Sequence, residues 1–477
     1  MAVTLRASKK GREIVDEARK KKGLTKQVAV GWNRINTQLH TSNATLKRFW
    51  RGLPIDRDVF IEICKTVGVE NWEELLDETA SSPGGSSIEF FALDEVWVGR
   101  EELLAELSSK VKGASRLLVL VGISGIGKTA LAEKLAVELN QEFLQGKWSK
   151  FQQENLENDG ETRDFRSIAI RWLQKWGEAL TEDDYKDMER LLRRLVNRLQ
   201  QDRYLVIIDS LENILVGNEE EGWSNFQDEW WVKFLEMFLA SPECQSRIIL
   251  TSQDLPGQIP ERYQNFWESK VLTGLQELEQ LQLFEKTGLE VESNSPNRPY
   301  LQRIGKAYEG HPLALRVIAG EMGNKPFDGN VVAYWGKYGN EIEEVEKAIE
   351  EAETKGIITS ADDKFQLDRY TRQLRTRVRS RLDKTFGRLY QEALNAYRLI
   401  CENAIYRCEV QESFWLSHLE DWDCDEDEQE VALQTLRDRF LVEEMGVNES
   451  GELLLRQHNL IRSVSLENQK KMDKEDG

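Results

Sequence analysis

The chain has 477 residues, 40% of them hydrophobic, and a formal net charge of −20. That length exceeds a single ordinary core and calls for roughly three or four domains. No stretch approaches the roughly 18 apolar residues of a membrane span and no signal-peptide core opens the chain, so a cytoplasmic location is expected.

The first segment, residues 1–57, carries fourteen Lys and Arg against Glu13, Asp16, Glu17 and Asp56, a net charge of +10, which leaves the remainder near −30. Such asymmetry points to an anionic partner for this head or to its docking on an acidic body. The head, residues 1–80, reads as a small all-α domain ending in VFIEICKTVGVENWEELLD, where Ile61, Cys64, Val67 and Val69 have core spacing. ARKKKGLT, TSNATLKRFWRGLPIDRDVFIEICKTVGV and NWEELL together resemble phage-repressor-like helix-turn-helix domains. The resemblance implies a second helix from about Asn43 to Trp50, offering Asn43, Thr45, Lys47, Arg48 and Arg51 outward. With this charge, DNA phosphate contacts through residues 1–57 are physically reasonable, but such folds also serve as protein-contact modules. Both readings stay open.

A linker over 81–93 is marked by SSPGGSS, residues 81–87. After it, short apolar runs at 117–121 (LLVLV), around Gly146–Phe151, at 205–208 (LVII) and at 247–251 (RIILT) alternate with amphipathic stretches. That pattern predicts an α/β domain over 94–260, a parallel sheet covered by helices on both faces. Beyond residue 260 the strands are expected to stop. A helical domain follows at 261–325 and a helical connection at 326–380, in which EIEEVEKAIEEAE (341–353) reads as a solvated helix face. VALQTLRDRF and then FLVEEMGVNESGELLLRQH read as a helix and a hairpin turning at NESG. Helix, hairpin, helix is the layout of a winged-helix domain, placed at 381–467 with a polar tail at 468–477. No internal repeat is visible. Five scattered cysteines lack any CxxC pair and suit free thiols in a reducing compartment. His40, His311, His418 and His458 make no metal motif.

GISGIGKT, residues 122–129, follows the LLVLV strand and opens a helix. Gly122, Gly125 and Gly127 let backbone wrap phosphates, Lys128 supplies a cation to the β and γ phosphates, and the Thr129 hydroxyl can ligate Mg²⁺. Ala130 lies beside them in the first helical turn, whose positive end faces the anion. LVIID supplies Asp209, which can hold the Mg²⁺ shell through water. Ser210 occupies the place where many ATPases carry a second carboxylate, and Glu212 is the candidate to reach the attacking water instead. In RIILTSQD, Thr251, Ser252 or Gln253 could sense a γ-phosphate, but none is cationic, so the site is expected to bind better than it cleaves.

These motifs in this order resemble the NB-ARC group of STAND-class ATPases over roughly residues 94–467. VWVGREELLAEL (96–107) is similar to the adenine-gripping segment, which implies that Val98 packs by the base and Arg100 supports the pocket. GHPLALRVIAG (310–320) is similar to the GxPLA motif, whose proline, here Pro312, packs against the nucleotide. RQHNLIR (456–462) resembles the Met-His-Asp motif, which implies that His458 reaches the β-phosphate of ADP. Ser210, Gln253, Gln457 and Asn459 depart from the family pattern. The first two argue against fast hydrolysis, and the last two bear on how firmly the resting state is locked.

The resemblance implies an ATP/ADP switch with Mg²⁺, slow hydrolysis and homo-oligomerisation when loaded with ATP, answering to an unknown protein trigger or effector. Family members commonly carry a C-terminal repeat array that senses the trigger; here the sensor is absent, borrowed or lost. Two alternatives remain: an ATP-responsive transcription regulator whose head reads DNA, and a steadily cycling ATPase.

Overall fold

The structure is a computed structural model that describes residues 4–5, 7–22, 49, 55–69, 71–76, 97–143, 150–157, 162–218, 223–241, 244–354, 364–448 and 452–475. The chain divides into two compact units, a head drawn from Met1–Glu89 and a body of Phe90–Asn448 and Glu452–Gly477.

In the head, β1 (Thr4–Leu5) pairs antiparallel with β2 (Ile55–Asp56), so the unit is not all-α as expected. Two-residue strands are too short to show a period of two. Helix α1 (Lys9–Lys21) starts where the Ser8 hydroxyl accepts from the Gly11 amide at 3.0 Å, an N-cap. Helix α2 (Arg57–Val67) and the 3₁₀ turn Trp72–Leu75 close a core of Val15, Phe49, Phe60, Ile63, Cys64, Val67 and Leu75. Cys64 and Val67 point inward as their spacing predicts, whereas Ile61 and Val69 are half-buried and Phe60 and Ile63 take the inner places. Of the second helix expected from Asn43 to Trp50, only Phe49 is described, and it is buried. Asn43, Thr45, Lys47, Arg48, Arg51 and the linker over 81–93 lie outside the described residues.

The body begins with α3 (Glu101–Lys112), β3 (Leu117–Val121), α4 (Lys128–Phe143), β4 (Lys150–Asn155), α5 (Phe165–Lys175), α6 (Glu182–Lys186), α7 (Met188–Gln201) and β5 (Tyr204–Asp209). Then come a hairpin of β6 (Leu215–Asn218) and β7 (Trp223–Phe226), α8 (Glu229–Ala240), β8 (Arg247–Ser252) and β9 (Trp267–Val271). β3, β4, β5, β8 and β9 form one parallel sheet in the order β4-β5-β8-β3-β9. Successive side chains of β3 alternate between two hydrophobic layers, Leu118 and Leu120 in one, Leu117, Val119 and Val121 in the other. α3 and α4 cover the first face, and α5, α7 and α8 the second. Burial on both sides explains why the strand reads as an unbroken apolar run.

Three expectations change here. β9 extends the sheet past the boundary drawn at 260; its polar sequence WESKV sits on an edge, where Glu268 pairs with Lys110 and Lys270 with Glu106. The strand expected around Gly146–Phe151 runs Lys150–Asn155, an edge strand rich in Gln. The β6–β7 hairpin was not anticipated.

The rest of the body comprises α9 (Glu277–Lys286), α10 (Arg298–Ala307), α11 (Pro312–Gly323), α12 (Val331–Thr354), α13 (Lys364–Glu392) and α14 (Leu394–Glu402). Then follow β10 (Val410–Gln411), α15 (Glu412–Ser417), α16 (Glu426–Asp438), β11 (Glu443–Val447), β12 (Leu453–Arg456) and α17 (Asn459–Glu475). β10, β12 and β11 form a small antiparallel sheet in that order. The helix–hairpin–helix run is therefore α16, β11–β12, α17. The boundary expected between 380 and 381 falls inside α13, one continuous helix, and the expected polar tail is the end of α17, with Met472 buried.

The expected solvated face of 341–353 is also partly tied down. Ile342 is buried, and Glu341 accepts from Arg388 Nη2 at 2.7 Å. Behind it Glu321 on α11 meets Arg381 and Arg388 of α13, accepts from Thr385 Oγ1 at 2.5 Å and from Tyr334 Oη at 3.1 Å. Burial would raise this carboxyl, but the two guanidiniums prevail and hold it below its ordinary range. The cluster fixes α11 to α12 and α13.

Candidate nucleotide site

β3 delivers the chain to the phosphate loop at the C-terminal edge of the sheet. The loop is tied to both flanking strands: the Gly122 amide donates to Ser252 O at 3.1 Å, and the Leu272 amide to Val121 O at 2.7 Å. Gly125 (φ +79°) and Gly127 (φ +95°) take left-handed conformations that favour glycine. A Cβ on Gly125 would lie 2.9 Å from His311 Cε1 and from Leu313, and one on Gly127 would lie 3.1 Å from Arg100 Nη1. The glycines therefore serve close approach as well as the turn.

Lys128 is buried at the start of α4, and its Nζ donates to Gly122 O at 2.9 Å and Ile123 O at 3.2 Å. Burial lowers its pKa, opposed by the charges of Glu212, Asp209 and Glu157. An anion at the loop would offset that cost by favouring the charged ammonium. Thr129 Oγ1 donates to Asp209 Oδ1 at 2.8 Å, bringing the two expected metal-binding groups together. A hydroxyl and a carboxylate oxygen side by side suit Mg²⁺, which takes one or two protein oxygens and leaves the rest of its shell to phosphate and water. Asp209 also accepts from Thr251 Oγ1, which itself accepts from the Ser210 amide at 3.0 Å. Ala130 follows in the first turn of α4.

The remaining expected residues fall around this centre. Val98 is buried in the layer shared with α3 and α4. Arg100, left-handed at φ 63°, donates from Nη2 to Ile126 O and Thr273 O, both at 2.8 Å, so it joins the loop to the segment after β9. Burial lowers its pKa to about 10, against the pull of Glu279. Pro312 is the first residue of α11, and the neighbouring Leu313 amide donates to Gly125 O at 3.4 Å. Glu212 and Gln253 bind each other: the Gln253 amide and Nε2 donate to the two Glu212 oxygens at 3.2 and 2.9 Å. His458 immediately precedes α17, and its Nδ1 accepts from the Leu460 amide at 3.2 Å. Burial lowers its pKa to about 4, with Glu443 opposing.

Four further residues belong to the site. His311 is fully buried; its Nδ1 accepts from Ala314 N at 3.3 Å, so the proton resides on Nε2, 3.0 Å from Ser124 O of the loop. Burial drives its pKa to about 3. Glu133, one turn beyond Thr129, accepts from Gln153 Nε2 at 3.1 Å, and burial raises its pKa to about 7. Glu157, just past β4, accepts from Ser210 Oγ at 2.5 Å and from Asn459 Nδ2. Its carboxyl is raised by burial, with Ser210 opposing. Arg456 pairs with Glu443 at 2.9 Å and feels the charges of Glu157 and Asp209. His311 and Arg456 sit inside the motifs GHPLA and RQHNLIR, and Glu133 is one helical turn from Thr129. For Glu157 the sequence carries no signal.

A parallel sheet, a phosphate loop opening α4 and a strand-ending acid on the loop's threonine together define a P-loop ATPase domain. Residues 96–232 match the AAA ATPase domain family, a match that ends before β8. An uncharacterized WD repeat-containing protein of Nostoc sp. strain PCC 7120 is 28% identical over 373 residues, 69% of this chain. The chain spans 28% of that relative's length. Among solved structures, a STAND protein with a tetratricopeptide repeat sensor from Pyrococcus horikoshii is 18% identical with a TM-score of 0.45, over 78% of this chain and 43% of that one. The Aeropyrum pernix ORC2 protein is 16% identical with a TM-score of 0.33, over 80% and 98%. Among the described residues no helix is long and apolar enough to cross a membrane.

Proposed function

We propose that this chain is a STAND-type nucleotide switch of the NB-ARC kind: it holds ADP in a closed state, exchanges it for ATP, opens and assembles into homo-oligomers. The observation that carries this reading is the convergence of two distant segments on one phosphate centre. His311 and Leu313 at the start of α11 touch Ser124 and Gly125, and Asn459 at the start of α17 bonds Glu157. A γ-phosphate with its Mg²⁺ would bear on these contacts directly, so ATP and ADP would favour different arrangements of the C-terminal segment.

In this reading Val98 packs on the base, Arg100 and Pro312 shape the pocket, and the loop with Lys128 holds the phosphates. Thr129 and Asp209 hold Mg²⁺, and His458 reaches the β-phosphate of ADP; Glu212, expected to reach the attacking water, has both oxygens on Gln253 and instead holds that residue toward the γ-phosphate. Bound Mg²⁺, held by Thr129 and Asp209, would supply charge neutralisation at the phosphates. Hydrolysis is slow because the residue after β8 is Gln253, where a cation would speed the reaction.

The test is calorimetry and turnover on purified chain. Lys128→Ala should abolish tight ATP and ADP binding, and the parent should retain ADP and turn over well below the roughly 10 s⁻¹ median of enzymes. Equal ATP affinity in parent and variant contradicts the site, and fast turnover in nucleotide-free protein favours a steadily cycling ATPase. The +10 charge of residues 1–57 favours one second reading, an ATP-responsive regulator whose head binds DNA. Duplex affinity that falls steeply with salt would support it, and no binding at low salt would remove it.

A further inference from the structure

Ser210 leaves the site without the carboxylate that normally follows the metal-binding acid, yet a carboxylate reaches that place from the neighbouring strand. β4 runs parallel to β5 with Asn155 level with Asp209, and the Leu156 amide donates to Asp209 O at 3.1 Å. The chain leaving β4 is thus held along the end of the metal-site strand. Glu157 comes next, and Ser210 Oγ donates to its Oε1 at 2.5 Å. Ser210 is left-handed, with φ 63°, and its amide is fixed by Thr251 Oγ1. A backbone pinned in that unusual conformation directs the hydroxyl to Glu157. Glu212 lies differently: both its oxygens accept from Gln253. Of the two glutamates, only Glu157 bonds directly to the residue at the second-acid position. It also accepts, at the same Oε1, from Asn459 Nδ2 at the head of α17.

We propose that Glu157 is the carboxylate that orients the attacking water for ATP hydrolysis, that Ser210 is its positioning residue, and that Asn459 withholds it while α17 is docked. The assignment rests on the nucleotide-switch reading. The water oxygen forms the new bond to the γ-phosphorus as the bond from that phosphorus to the β–γ bridging oxygen breaks. The water's proton passes to Glu157, and ADP departs with the bridging oxygen's electron pair. Glu157 then releases the proton to solvent. The substrate is a nucleoside triphosphate, and no other co-reactant is needed. Slow turnover acquires a second cause: a hydrogen bond from the C-terminal segment holds the water-orienting group until that segment moves.

The experiment compares full-length parent, Glu157→Gln, Glu157→Asp, Glu212→Gln and Asn459→Ala. ATP affinity is measured by calorimetry with Mg²⁺, and hydrolysis by single-turnover release of labelled phosphate. Glu157→Gln, nearly isosteric, should keep ATP affinity and lose hydrolysis by on the order of 10²-fold, the scale of a positioned acid–base group. Glu157→Asp should recover part of that loss, a rescue that a purely structural role would not give. Glu212→Gln should lose less than Glu157→Gln, and Asn459→Ala should hydrolyse faster than the parent. Unchanged hydrolysis in Glu157→Gln, or a larger loss in Glu212→Gln, overturns the assignment while leaving the switch reading intact. So does unchanged or slower hydrolysis in Asn459→Ala, for its withholding role. A parent that binds no ATP removes the switch reading and this assignment together.

Discussion

Two histidines stand at the starts of two helices beside the same phosphate loop, and their surroundings divide the labour. His311 opens α11, is fully buried, and bonds both its own helix and Ser124 of the loop. Behind it, Glu321, Arg381, Arg388 and Tyr334 fasten α11 to α12 and α13. His458 opens α17, is half-buried, and caps its helix through the Leu460 amide, while its neighbour Asn459 makes an exposed bond to Glu157. In the proposed switch the same local device would serve as a weld in one region and a latch in the other. A switch needs both: one element that keeps the loop's shape and one that can leave at low cost.

The largest effect should come from breaking the weld from behind. Glu321→Ala takes the nearest carboxylate from two buried guanidiniums and leaves them Glu341 and Tyr334. Because part of the charge stays compensated, the cost falls at the lower end of the about 3–5 kcal/mol for losing one partner of a buried ion pair. The melting temperature should drop sharply; an unchanged value would mean that α11 is held by its apolar face alone. His311→Ala comes next, at about 2–3 kcal/mol, because the Ser124 carbonyl and Ala314 amide each lose a buried partner. His311→Asn, able to cap the helix but too short for the loop, should recover part of the stability and little of the nucleotide affinity. Equal recovery of both would make the loop contact incidental.

Acid tests both histidines. Their folded-state values, about 3 and about 4, lie below the ordinary 6.5, so between those limits the unfolded chain binds protons that the folded chain refuses. The stability each histidine contributes is full above pH ~6.5 and falls as pH drops, by at most about 1.4 kcal/mol per pH unit, while Glu133, raised to about 7 by burial, works in the opposite sense over the same range. From pH 7 to 5 the melting temperature of the parent should fall relative to that of His311→Asn; parallel profiles would deny the histidine its share.

The smallest effect is the most functional. If His458 contacts the β-phosphate of ADP, the bond is worth roughly 1.5–3 kcal/mol, and its loss shifts the closed–open equilibrium by about ten- to a hundred-fold. His458→Ala should release a fluorescent ADP faster in stopped flow and form larger particles with ATP in light scattering. Identical rates and masses would make His458 a bystander.

The division between the regions also governs what the sequence could reveal. GISGIGKT and LVIID were legible because strand, loop and helix follow one another locally, and each residue type has one dominant reason to be there. The antiparallel pair β11–β12 was legible for the same reason, while residues 449–451 of the expected NESG turn lie outside the described residues. β9 escaped because WESKV is an edge strand whose charges pair with α3, so no apolar run marks it. The strand KFQQEN was misplaced because its edge position tolerates Gln, and Glu157 escaped with it, since only the register of β4 on β5 brings that residue to Ser210. The motif around Pro312 was visible, but the weight borne by His311 depends on Ser124, 187 residues away.

Hydrogen exchange on the full chain, with ADP and then with a non-hydrolysable ATP analogue, tests the weld and latch most directly. The backbone amides of β12 and α17 should exchange faster with the ATP analogue, while those of α11 keep equal protection with either nucleotide. Equal protection of α17 in both states, or loosening of α11 together with it, would contradict the account.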